Sequence, residues 1–301
     1  MNKLHIWFHA IRPRTLPLAV SSTLLGSFLA AYNSKFNYRI LILSSLTTIF
    51  LQILSNLAND YGDSDKGADN DKRIGPKRAI QSGLIRKKNM KAAIFLTVFL
   101  SLLCGIWLIF EGTRGINRIY VLLFLLLGFG AIFSAIKYTV GNKPYGYVGL
   151  GDLFVFIWFG MVGVSGTYFL HTNTLPMDIL LPSASLGLLS VGVLNINNLR
   201  DRISDKIAGK ITLVVRIGES WGKIYQVILI ITAMICTGIY VFLNYNSFLQ
   251  LAFLVTAPGF FMHAVLIMKV SDPSLFDPFL KKFALSTFFF SLTLGLGFIL
   301  S

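Results

Sequence analysis

Residues 40–58 read ILILSSLTTIFLQILSNLA, and residues 59–71 directly after them read NDYGDSDKGADND. The first stretch has no Asp, Glu, Lys or Arg and is long enough, as a helix rising about 1.5 Å per residue, to cross roughly 30 Å of hydrocarbon. The second crowds five carboxylates onto its end. Similar apolar runs recur along the chain, giving nine candidate spans at 15–32, 38–58, 92–110, 118–137, 150–171, 176–197, 224–243, 247–268 and 283–300. With 54% hydrophobic and only 13% charged residues among 301, the chain falls far below the roughly one quarter charged of a soluble domain. A soluble enzyme fold and a disordered chain are both excluded, and an all-α integral membrane protein of nine transmembrane helices is expected. No hydrophilic linker divides it, so residues 1–301 read as a single domain. The first run follows Arg12-Pro13-Arg14 without a cleavage site and reads as a retained span.

An odd number of spans sends the termini to opposite sides. Of the 27 Lys and Arg, all but Lys35, Arg39, Arg114 and Arg118 fall on the side of the N-terminus. Cytoplasmic loops collect Lys and Arg, so that side reads as the cytoplasmic face of a bacterial inner membrane, with Ser301 outside. The same bias explains most of the net charge of +14 without invoking a nucleic acid. Cys104 and Cys236 lie in apolar runs and form neither a disulfide framework nor a metal motif. His5, His9, His171 and His263 show no ligand spacing and read as interfacial or packing residues.

Seven of the 13 acidic residues sit in two stretches, NDYGDSDKGADND (59–71) and NNLRDRISD (197–205), both on the predicted cytoplasmic side. On a helix Asn59 and Asp63 share a face, as do Asn197, Asp201 and Asp205. Carboxylates so placed repel one another unless a cation lies between them. Oxygen donors without His or Cys point to Mg²⁺ or Mn²⁺ rather than Zn²⁺, and Mg²⁺ binds through a few carboxylates plus substrate phosphates. Beside them lie Lys66, Lys72, Arg73, Lys77 and Arg78, then Arg200, Arg202, Lys206, Lys210 and Arg216. The plain reading of these cations is topology; the chemical one is a clamp on a diphosphate whose negative charge grows as it leaves. Asn-x-x-x-Asp also occurs at Asn56–Asp60, so that the pattern appears in both halves of the chain.

Several segments, in this order and on these spans, resemble the intramembrane aromatic prenyltransferases of the UbiA superfamily, and their menaquinone branch in particular. They are AIRPRTLP (10–17), NLANDYGDSDKGAD (56–69), RIGP (73–76), AIKYTVGNKPYGYVGLGDLF (135–154) and NNLRD (197–201). The resemblance implies a nine-helix bundle around a central cavity, Mg²⁺ held between two aspartate motifs, a polyprenyl diphosphate donor and 1,4-dihydroxy-2-naphthoate as acceptor. By motif position Asn59, Asp63 and Asp69 form the first metal set and Asn197, Asp201 and Asp205 the second. Gly67 occupies a position that is acidic in the wider superfamily, leaving Asp65 and Asp69 as candidates; the longer spacing of the menaquinone branch selects Asp69. RAIQSG (78–83) resembles a family segment that makes Arg78 a phosphate contact, and Lys210 and Arg216 match basic positions after the second motif.

Asp63 and Asp201 are thus the expected catalytic aspartates, with Arg73 also in the diphosphate-binding set. Acceptor activation needs a group near the ring hydroxyl and one near the carboxylate, for which Lys137, Tyr138 and Asp152 are the candidates. Arg12 reads as an anchor for lipid headgroups. Three rivals compete: a hydroxybenzoate acceptor, an alcohol phosphatidyltransferase and a cation transporter. The D-G-x-x-A-R signature of the second is absent. Against the third, transporter carboxylates belong near the bilayer midplane, whereas these lie at helix ends among Lys and Arg.

Overall fold

The computed structural model describes residues 3–67 and 78–301. A short helix α1 (Lys3–Ile11) turns at Arg12 into α2 (Leu16–Tyr32). There follow α3 (Tyr38–Asp65), α4 (Lys87–Gly112), α5 (Arg118–Lys137), α6 (Gly151–Thr172), α7 (Met177–Ile207), α8 (Leu213–Leu243), α9 (Phe248–Lys269) and α10 (Pro273–Ile299). Among the described residues no strand occurs and nine helices can span a membrane, the first of them formed by α1 and α2 together.

Several helices outrun the boundaries expected from hydropathy, α4 starting at Lys87 and α10 at Pro273. α3 continues to Asp65 and α7 to Ile207, while α8 begins at Leu213 and is broken only at Gly218, where φ is +83°. The α3 and α7 extensions are polar in sequence, and their Asp60, Asp63, Arg200 and Asp201 side chains find partners inside the protein while each helix carries on. Thr212 starts α8 by accepting from the Val215 N–H at 3.3 Å.

Helix α7 forms the centre, with α8, α6 and α10 packed on it. α4 and α5 lie at the rim, where Phe95, Phe99, Leu103, Trp107 and Phe110 make one exposed stripe and Ile119, Leu122, Leu126, Phe129 and Phe133 another. Spacing of three or four puts each stripe on one helix face, where lipid takes the place of a core. At the end opposite the motifs, Ile40, Leu43, Leu108 and Leu170 pack together, and His171 accepts from the Asn37 N–H at 3.1 Å while facing Ser27 Oγ at 2.9 Å.

Two close approaches shape the interior. Residues Phe156–Gly166 of α6 adopt wide turns of the π type, which are frequent near functional sites. There α6 crosses α7 at Gly160, where an added Cβ would lie 2.5 Å from the Ser183 carbonyl oxygen and 2.7 Å from the Gly187 Cα. Small residues allow such backbone contact between membrane helices. Gly160→Ala is therefore expected to cost about 1–3 kcal/mol, read as a lower unfolding temperature in detergent. Gly128→Ala, with no atom within 4 Å of the new methyl, should stay within about 0.5 kcal/mol of the parent.

Candidate active site

A cavity of about 390 Å³ runs between α2, α3, α5, α6 and α7. Its polar end presents Asn59, Asp63, Arg78, Asn197 and Lys210, with Arg12 and Arg14 nearby on the α1–α2 corner. From there one wall is aromatic and apolar, with Tyr138, Tyr145, Phe154, Trp158 and Phe159; Tyr145 stacks on Phe154 with centroids 4.0 Å apart. The facing wall of α2 and α3 carries hydroxyls, among them Ser22, Thr23, Thr47 and Ser55.

Helix α3 sorts its two Asn-x-x-x-Asp pairs by face. Asn56 donates to the Ile11 carbonyl at 2.8 Å and to Thr15 Oγ1 at 3.0 Å, tying the α1–α2 corner down. Asp60, 2% exposed, accepts from the Ala79 N–H at 3.0 Å and so fixes the turn that carries Arg78. The other pair faces the cavity. Asn59 Oδ1 lies 3.2 Å from the Thr139 hydroxyl, and Asp63 accepts from Tyr147 at 2.9 Å while Arg78 approaches its other oxygen at 3.5 Å. Between them Gly62 meets Thr139 so closely that a Cβ would lie 2.7 Å from its backbone carbon. Lys66 and Lys210 both lie against the Tyr147 ring, at 5.4 and 5.8 Å from its centroid.

Helix α7 builds the second half around Arg200. This guanidinium forks onto Asp201 at 2.9 and 2.7 Å, donates to Asn197 Oδ1 at 2.7 Å and reaches Asp277 of α10 at 2.6 Å. Arg14 approaches the other Asp277 oxygen at 3.6 Å. One turn on, Lys210 faces Asp205 at 3.5 Å. Burial works against the Lys210 charge, but Asp205, Asp63 and Asp201 outweigh it and raise its pKa above the ordinary lysine value. It stays an ammonium at any working pH. Burial likewise pushes the Tyr138 phenol up to about 12, against the pull of Lys210, so Tyr138 is a neutral donor.

The oxygen donors fit a hard divalent cation at one place. Asp205 Oδ2 is buried with no hydrogen-bond donor, and Asp63 and Asp201 are near enough for their charges to act on it. Asn59, Asp63 and Asp205 thus make an oxygen-only set, with Arg78 and Lys210 beside its two carboxylates. Among the described residues no three His, Cys, Asp or Glu already converge on one point, and Asn197 and Asp201 are taken by Arg200.

Of the residues singled out in the sequence, Asn59, Asp63, Arg78, Tyr138, Asn197 and Lys210 meet on the cavity, while Asp201 and Asp205 are buried close by. Three do not line it. Lys137 turns toward the loop, where a Cβ on Gly141 would touch its Nζ at 2.8 Å. Arg216 is spent on the Val148 carbonyl at 2.7 Å, and Asp152 sits behind Tyr138. Asp69 and Arg73 lie outside the described residues. Arg12, expected at headgroups, lines the cavity instead, held by a left-handed backbone (φ 54°). Sequence reasoning gave no role to Asp60, Tyr147 or Asp277, although Asp60 carries the same Asn-x-x-x-Asp pattern as Asp63.

Removing Arg200 would strand Asp201 and Asp277 without their shared cation. Arg200→Ala is expected to cost about 3–5 kcal/mol, whereas Arg202→Ala, which breaks the more open pair to Glu219, should cost about 0–1 kcal/mol. Thermal unfolding of the two variants side by side checks the difference.

The model of the UbiA prenyltransferase family matches residues 19–299. A 1,4-dihydroxy-2-naphthoate octaprenyltransferase of Haemophilus influenzae is 41% identical over 301 residues, covering 99% of this chain and 97% of the relative. The protein of that name from Escherichia coli is 40% identical, covering 100% and 97%. Among solved structures, a UbiA homolog from Aeropyrum pernix superposes with a TM-score of 0.65 at 16% identity, covering 100% of this chain and 98% of that one. Another from Archaeoglobus fulgidus, bound to GPP and Mg²⁺, also gives 0.65 at 15% identity, covering 98% and 100%. These structures share the fold, and the sequence matches run nearly end to end. The chain is an integral membrane protein that belongs to the UbiA prenyltransferase family.

Proposed function

We propose that this protein transfers a polyprenyl chain from polyprenyl diphosphate to 1,4-dihydroxy-2-naphthoate with loss of CO₂, giving the methyl-free precursor of menaquinone. Residues 1–301 act as one domain in the inner membrane of a bacterium, with the polar end of the cavity at the cytoplasmic face. What carries the reading is the joining of two environments in one cavity: Asp63, Arg78 and Lys210 at one end, and beyond them a long aromatic and apolar wall. The near-complete similarity to naphthoate octaprenyltransferases supports the acceptor. The location of all but four Lys and Arg supports the orientation.

Asn59, Asp63 and Asp205 would hold Mg²⁺, with Asp69, Asn197 and Asp201 as further candidates. A metal held there would supply positive charge to offset that of the departing diphosphate. Arg78 and Lys210 bind diphosphate oxygens from the same end of the cavity. Asp60 holds the Arg78 turn, and Tyr147 orients Asp63. Tyr145, Phe154, Trp158 and Phe159 exclude water from the allylic cation and offer it π faces. The Tyr138 phenol, on the same wall, is placed to meet the acceptor ring.

The test is turnover by purified protein in detergent with Mg²⁺, a polyprenyl diphosphate and either dihydroxynaphthoate or hydroxybenzoate, scored by product mass. Prenylated product from dihydroxynaphthoate, lighter by CO₂, is expected; EDTA should abolish it and added Mg²⁺ restore it. Asp63→Ala and Asp205→Ala should each lower kcat/KM by about 10²-fold or more. Product from hydroxybenzoate alone would overturn the acceptor, and activity indifferent to EDTA would overturn the metal.

A further inference from the structure

Tyr138 borders two spaces. On one side is the cavity; on the other is a void too narrow for a water molecule, lined also by Asp152, Asn198 and Thr212. Two oxygens of these residues, Asp152 Oδ2 and Asn198 Oδ1, are buried without a hydrogen-bond donor, and Asn198 is only 2% exposed. Unmet acceptors in so dry a place call for a proton. Tyr138 borders the same void, its hydroxyl 3.3 Å from where a Cβ on Gly151, the neighbour of Asp152, would lie, and it donates no hydrogen bond to Asp152 Oδ2 in the resting structure.

Charge distinguishes Asp152 from the other carboxylates around the cavity. Asp63 has Arg78, Asp205 has Lys210, and Asp201 and Asp277 share Arg200. The titratable groups that face Asp152 are phenols: Tyr225 of α8 against its carboxyl, and Tyr138 toward the cavity. From α7, Asn198 is neutral; Lys210, Asp205 and Asp63 act on Tyr138 from its other side. Among the described residues, Asp152 forms no ion pair.

The proposed reaction needs such a group for part of each turnover. As the carboxylate-bearing ring carbon forms its bond to the prenyl cation, the adjacent ring hydroxyl loses its proton and becomes a ketone. The product of that step is a β-keto acid. Its C–CO₂ bond then breaks, the electron pair restores the aromatic ring, and the oxygen recovers a proton. Diphosphate and CO₂ leave, and no proton is gained or lost overall. A proton that is borrowed and returned is best held where solvent cannot reach it.

We infer that Asp152 is a positioning residue that takes this proton through the Tyr138 hydroxyl and returns it after CO₂ departs. Tyr138 gives its own proton to Asp152 as it receives that of the acceptor, so the phenol carries no lasting charge. This inference rests on the reaction proposed above. It replaces direct contact between Asp152 and the acceptor with a relay through the cavity wall.

The test measures kcat and both KM values from pH 6 to 10 for the full-length protein, Asp152→Asn, Asp152→Glu and Tyr138→Phe. The acceptor is dihydroxynaphthoate and the donor a polyprenyl diphosphate, with Mg²⁺. At pH 7, Asp152→Asn should lose about 10²-fold in kcat with the donor KM unchanged. The deficit should shrink as pH rises toward the phenol range near about 10, because acceptor that is already ionised needs no base. Tyr138→Phe should follow the same profile, and Asp152→Glu should recover part of the loss at pH 7. A loss constant across pH, a rise in donor KM, or parental kcat in Asp152→Asn would overturn the relay. If Asp152→Asn does not fold, Tyr138→Phe alone decides by its profile. Parental protein that makes no product from dihydroxynaphthoate would overturn the reaction itself, and the relay with it.

Discussion

One guanidinium, buried where two helices and a helix corner meet, holds the polar end of this bundle together. Arg200 leaves α7, grips Asp201 and Asn197 on its own helix, and reaches Asp277 at the start of α10, which Arg14 approaches from the α1–α2 corner. Charges in such a place are tolerable only when each has its partner, because burial removes water from both signs at once. The α7 side of the cavity is referenced to this knot. Asn197 takes its place from Arg200, Arg14 is steadied by Asp277, and α7 can then carry Asp205 one turn onward to meet Lys210.

Across the cavity the first motif solves a related problem by division of labour. Asn56 and Asp60 point into the protein and satisfy backbone groups of the corner and of the Arg78 turn. Asn59 and Asp63, a fraction of a turn away, are left for the cavity, steadied by Thr139 and Tyr147. Structural polar residues therefore set the positions of chemical ones, and both kinds occupy the same short helical segment. The cavity gains a cationic and anionic end that is preorganised before any substrate arrives.

The spans were legible in the sequence because lipid imposes a length and a composition on any helix that crosses it. Residues 118–137 were read to the residue, since Arg118 and Lys137 mark both ends of α5. The ends of α3 and α7 were not, because hydropathy cannot tell an exposed carboxylate from one paired inside, and Asp63 and Asp201 are of the second kind. Spacing did group Asn59 with Asp63 and Asn197 with Asp201 and Asp205, whereas Lys210, which lies outside any helix, was marked only by the resemblance. Spacing gave no means of separating Asn56–Asp60 from Asn59–Asp63, which share one pattern yet differ by what the α1–α2 corner and the Arg78 turn offer them. Arg200 and Arg216 looked alike as basic residues near the second motif, but one is enclosed by carboxylates and the other holds a loop carbonyl. Partners distant in sequence decide such roles.

The wide turns of α6 between Phe156 and Gly166 tie the orientation of its two ends to its residue count, as ordinary turns do in its neighbours. A single deletion there would let the turns tighten to the ordinary α pitch, and one residue of an α-helix corresponds to about 100° of rotation. Gly151 and Asp152 at one end would then turn relative to Gly160 and the α7 crossing, carrying Asp152 away from Tyr138 without altering any side chain. Lineages of this protein should therefore accept substitutions along α6 far more readily than changes in its length.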